Sequence, residues 1–82
     1  MAKIVIIDWS QHPGWVDESH WPLKAYCDRI GLCTNLKGTE LKRVSRELRA
    51  KAISELEISH PEKAGALITT LQSIGAEVSI VP

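Results

Sequence analysis

The stretch Ala64 to Val81, AGALITTLQSIGAEVSIV, constrains this chain more than any other part of it. Ala64, Leu67, Ile68, Leu71 and Ile74 recur at the spacing that lines one side of an α-helix. Gly75 follows at the position where a helix turns off through a left-handed residue, and Val78-Ser79-Ile80 then alternates as a strand does. A helix with one apolar stripe and a strand with one apolar side must each be buried against something. The smallest arrangement that satisfies both is a layer of helices on a sheet.

The upstream residues supply the remaining elements. Lys3 to Asp8 carries four consecutive β-favouring residues, Ile4 to Ile7, and reads as a central strand buried on both faces. Ser19 is placed to cap a helix with Pro22 in its first turn, where Leu23, Tyr26, Cys27 and Ile30 form the stripe and Gly31 the stop. Thr39 is placed to cap a second helix with the stripe Leu41, Val44 and Leu48. Ser54 to Ile58 alternates as a second strand. Ser59-His60-Pro61-Glu62 has the spacing of a capping box and predicts where the third helix begins. The expected fold class is α/β (α+β). Residues 1–82 are expected to form a single small two-layer module in the order β-α-α-β-α-β, with a three-stranded sheet and three helices on one face.

Ten basic and ten acidic residues cancel, so no overall field draws the chain to nucleic acid or to a membrane surface. The distribution is uneven. From Lys37 to Lys51 six basic residues face two acidic ones, an excess of four positive charges. The four apolar residues Ile4 to Ile7 are too few for a membrane span or a secretory leader, so the expected location is the cytoplasm. Cys27 and Cys33 flank the predicted end of the first helix. A disulfide closing so short a loop would add little, and free thiols are expected.

The run Ala64-x-Ala66-Leu67-x-x-x-Leu71-x-x-x-Gly75-Ala76-Glu77-Val78-x-Ile80 resembles the end of the C-terminal domain of the bacterial ribosomal stalk protein, and the order of elements upstream is similar to that family's. The Clp protease adaptor for N-degrons is said to share that fold. In the stalk family, apolar and basic residues on the first two helices dock translational GTPases. By position, Leu23-Lys24-Ala25 resembles the family's Ile-Lys-Ala, and Leu41-Lys42-Arg43-Val44 its Leu-Lys-Glu-Ala, so the resemblance implies contacts at Lys24 and Lys42. The family's arginine on the first helix is replaced by Cys27, and its next lysine on the second falls at Ser45 between Arg43 and Arg46. The family's N-terminal dimerisation domain and hinge have no counterpart in these residues. The expectation is therefore a stand-alone, divergent member.

Two features are candidates for contact with a partner. Lys42, Arg43, Arg46 and Arg49 give the second helix a basic face. That face either serves solubility or docks an acidic protein, and against nucleic acid it would neutralise roughly three phosphates. No base-reading motif accompanies it, which favours a protein partner, such as a translation factor or a ribosome-associated protein, over RNA. All three tryptophans and the one tyrosine lie between positions 9 and 26. Such rings either complete the core or act as anchors for a partner, Trp15 beside the Pro13-Gly14 turn and Trp21 being the candidate anchors.

A catalytic or metal-binding alternative rests on the same loop. His12, His20, Cys27 and Cys33 are separated by 8, 7 and 6 positions, unlike the paired spacing of structural zinc sites. Asp8 with His12 or His20 would make a dyad, but no nucleophile elbow or phosphate-binding glycine loop is present. The expected function is non-enzymatic binding without a cofactor, the alternatives being a small enzyme, a metal-binding protein or an RNA-binding domain. Oligomeric state is not legible in the sequence.

Overall fold

A computed structural model describes residues 2–9, 14–16 and 20–82. Strand β1 (Ala2–Asp8) leads through the tryptophan-containing segment to helices α1 (Leu23–Cys33) and α2 (Gly38–Arg49). Strand β2 (Glu55–Ile58), a 3-10 turn (Pro61–Lys63), helix α3 (Gly65–Ser73) and strand β3 (Glu77–Val81) complete the chain. The sheet has the order β2-β1-β3, with β1 antiparallel to both neighbours. This is the expected β-α-α-β-α-β architecture, three helices on one face of a three-stranded sheet.

β1 is central, as its apolar run predicts, but it is not buried on both faces. Ile4 and Ile6 point into the helical layer and are 1% and 4% exposed, whereas Ile7 is 62% exposed. With all the helices on one side, the alternate residues Lys3, Val5 and Ile7 are left on an open face. Ile7 is also the extra residue of a β-bulge, because Ile6 pairs with Val78 and Asp8 with the very next residue, Glu77.

The core joins Ile4, Ile6, Leu56 and Ile58 of the sheet to one stripe on each helix: Tyr26, Ile30 and Cys33 of α1, Val44 and Leu48 of α2, Leu67 and Leu71 of α3. Each of these faces is the one that helical periodicity selects. Four buried polar side chains tolerate this environment because Thr34, Ser45, Thr70 and Ser73 each donate a hydroxyl hydrogen bond to a carbonyl three or four residues earlier.

Helix ends account for most departures from the sequence reading. α1 does not stop at Gly31 but runs to Cys33; Gly31 lies on an exposed part of the helix, where it costs only propensity. Both cysteines therefore lie within α1, and both are free thiols. Burial pushes the Cys33 thiol above its ordinary pKa of 9.0. Ser19 lies outside the described residues. Thr39 is inside the first turn of α2 rather than at its cap, which is Lys37. The Ser59 to Glu62 capping box does not form, because the Ser59 and His60 amides donate to the Cys33 carbonyl and the Ser59 hydroxyl accepts from Asn35. Those residues tie β2 to the end of α1, and α3 begins only at Gly65.

α2 and α3 end in the same way. In each, the second residue past the helix has a left-handed φ, 61° for Lys51 and 97° for Gly75. The amide of the residue after it reaches back to the last turn, Ala52 to Glu47 and Ala76 to Leu71. These are Schellman terminations, and Gly75 occupies the position its conformational freedom suits. Lys51 adopts that geometry despite its Cβ, and its ammonium sits 5.7 Å from the centre of the Trp9 ring.

Candidate functional site

The basic face of α2 follows from the burial of the opposite side. With Val44, Ser45 and Leu48 turned inward, residues about half a turn away are forced outward, and Lys42, Arg43, Arg46 and Arg49 are all exposed. Their surroundings divide them into two kinds. Arg43 lies between two carboxylates of its own helix, 3.0 Å from Glu47 and 4.0 Å from Glu40, so its charge is already answered. Lys42, Arg46 and Arg49 form no ion pair among the described residues. Spaced i, i+4 and i+7, they make a ridge of unmatched positive charge about 10 Å long.

Lys24 is exposed in the first turn of α1, but it is paired with Asp28 at 2.9 Å. The hydrogen bond that the Lys24 ammonium donates to that carboxylate, then the carboxylate's charge, holds Lys24 above its usual pKa. Lys24 thus resembles Arg43 more than it resembles Lys42.

The tryptophans divide as well. Trp9 and Trp21 are partly buried against the core, while Trp15 is 67% exposed. Trp21 is engaged inside the molecule, its indole N–H donating to the Ser73 hydroxyl at 2.7 Å, its ring under the Arg29 guanidinium at 4.6 Å and edge-on to His20. Trp15 is displayed by a pinned backbone, since the amides of Trp15 and Val16 both donate to the Ser73 carbonyl, at 2.9 and 3.1 Å. Gly14 allows that approach. A Cβ there would stand 2.6 Å from the same carbonyl oxygen.

Ser73 thus holds both tryptophans, a role the sequence reading did not give it. The signal was a polar residue in the last turn of an otherwise apolar helix, beside Leu71 and Ile74.

The charged ridge and Trp15 are not brought together. Gly31 of α1 faces Leu41 of α2, while Arg29, two residues and about 200° away around the same helix, faces Trp21 and so the end of α3. α1 stands between the two features, giving two separate surfaces.

The residues considered for metal or catalysis are likewise dispersed. Cys33 is buried in the core with its thiol near the Arg29 and Ile30 carbonyls, His20 lies against Trp21, and His12 is outside the described residues. No group of three potential ligands occurs among the described residues. A shallow cleft between the α1–α2 connection and β2, lined by Thr34, Asn35, Leu36, Val44, Leu56, Glu57 and Ser59, has Glu57 as its one titratable lining residue. No helix among the described residues is long and apolar enough to cross a membrane. No family model, curated protein or solved structure matches the chain.

Proposed function

We propose that this chain is a non-enzymatic, cytoplasmic binding module that docks a protein partner through the outer ridge of α2, with Trp15 as a second contact point beyond α1. The observation that carries this reading is the contrast along one helix. Arg43 is neutralised by Glu40 and Glu47, yet Lys42, Arg46 and Arg49 have no carboxylate beside them among the described residues. An intramolecular ion pair at the surface adds little stability, so their lack of one leaves charge available for another molecule. Such charges act mainly on encounter rate and on the choice of partner. The partner is therefore expected to present an acidic surface, and the resemblance to the ribosomal-stalk domain makes a translation factor or ribosome-associated protein the first candidate.

Trp15 supports the reading from the other side of the molecule. A large ring held out by a fixed backbone loses little conformational freedom on binding, and tryptophan is enriched among residues that dominate interfaces. Trp21 is better understood as part of the scaffold that presents it.

The test is capture from cell extract by the wild type and by the Lys42→Glu/Arg46→Glu variant, with and without nuclease. Capture of a translation factor that resists nuclease and is lost in the folded variant is expected. Capture that disappears with nuclease would replace the protein partner by RNA, and equal capture by both proteins would remove the α2 ridge from the account.

A further inference from the structure

The geometry points to a second copy of this chain as the occupant of the free edge of β3, forming a two-fold dimer with a continuous six-stranded antiparallel sheet. The sheet has two edges, β2 and β3, and no described strand lies along the outer side of either. Unpaired edges are templates for another strand unless something discourages it.

The two edges differ in their charge. On β2 the residues of the open face are Glu55 and Glu57, both exposed. An antiparallel pairing of β2 with its copy must match residues of like facing, and the two registers that do so over three residues, centred on Leu56 or on Glu57, both set glutamate against glutamate. β2 is closed to itself by repulsion. β3 offers Glu77-Val78-Ser79-Ile80-Val81, with a single charge at one end, and Ile80 and Val81 are 40% and 39% exposed.

With Ser79 on the two-fold axis, Ser79 faces its own copy, Val78 faces Ile80, and Glu77 faces Val81. No like charges oppose one another, and the side-chain alternation of the two sheets is preserved. Ile80 gains an apolar neighbour on the helical side of the sheet. Five residues of strand extend about 17 Å, which places the interface at the small end of specific contacts and makes the dimer concentration-dependent.

This register gives a test in which the sign of the charge matters. Within its own chain Val81 lies opposite Lys3, but across the proposed interface it lies opposite Glu77. Val81→Glu therefore improves the pairing with Lys3 while opposing the partner's Glu77, and Val81→Lys does the reverse. Sedimentation velocity over a wide concentration range is expected to show a wild-type monomer–dimer equilibrium. Val81→Glu is expected to weaken it by roughly 2- to 30-fold and Val81→Lys to strengthen it by a similar factor, because two symmetry-related pairs change together.

Thermal stability at low concentration should move the opposite way, highest in Val81→Glu. Ser79→Lys sets two lysines together on the axis and should be monomeric while folded, since its intrachain neighbour is Val5. A wild type that is monomeric throughout, masses that grow beyond a dimer, or Val81 variants that shift association in the same direction would each overturn the proposal.

Discussion

Replacing Gly14 by alanine tests whether the tryptophan-bearing segment is seated on the end of α3. The new Cβ would lie 2.6 Å from the Ser73 carbonyl oxygen, 2.8 Å from the Ile74 carbonyl carbon and 2.9 Å from the Ile74 Cα. All three atoms are backbone, and the Ser73 side chain is itself held by Thr70 and Trp21, so α3 has little freedom to yield. To reach an ordinary contact of about 3.4 Å the segment must lift by about 0.8 Å. The amide bonds from Trp15 and Val16, now 2.9 and 3.1 Å, would lengthen to about 3.7 and 3.9 Å and cease to be hydrogen bonds. Two lost bonds are worth about 2 kcal/mol, since each contributes about 1. Alanine's smaller unfolded-state entropy returns about 0.4–1 kcal/mol, leaving a net loss of roughly 1–1.5 kcal/mol. In a domain of this length that is a fall in Tm of about 4–12 °C, measurable by circular dichroism. Hydrogen exchange should show loss of protection at Trp15 and Val16 specifically. An unchanged or higher Tm, with those two amides still protected, would refute the seating of Gly14 on α3.

Gly31→Ala should instead stabilise the domain by up to about 1 kcal/mol, because the position is helical, in the last turn of α1, and a Cβ would meet Leu41 at an ordinary 3.6 Å; a rise in the urea midpoint checks it. Leu67→Ala removes a side chain with no exposed surface and should cost about 2–5 kcal/mol, enough to leave much of the protein unfolded at 37 °C by circular dichroism. Cys33 has its thiol pKa raised by burial, so the stability it contributes is complete below the unfolded value near 9.0 and declines as pH rises above that value toward the folded one. Tm should therefore fall above about pH 9 by more in the wild type than in Cys33→Ala, and mass spectrometry under native conditions should find Cys27 alkylated before Cys33.

The fold was legible wherever one residue's local chemistry agreed with the global packing. Gly75 sits where a left-handed residue is required, and the α3 stripe is buried, so the last third of the chain reads directly. Lys51 has the same conformation, but nothing local to a lysine signals a left-handed residue, and its ammonium lies near Trp9, which is remote in sequence. Ser59-Pro61-Glu62 has the spacing of a cap, yet its amides serve a carbonyl of α1 that is remote in sequence. The apolar run of β1 suggests burial on two sides, and only the placement of every helix on one face exposes Ile7. At the candidate site, the exposure of the α2 cations followed from periodicity. That Arg43 is matched and its neighbours are not was readable from Glu40 and Glu47 at i−3 and i+4. The separation of Trp15 from the ridge was not, because it depends on α1 lying between them.

If unmatched charge on α2 selects the partner, two charge reversals respond differently in the same capture experiment. Lys42→Glu/Arg46→Glu inverts the ridge, whereas Arg43→Glu with Glu47→Arg inverts an internal pair and leaves net charge unaltered. The first is expected to abolish capture of a protein partner and the second to retain it, with both variants as folded as the wild type by circular dichroism. Equal loss in both, or retention in both, would contradict it.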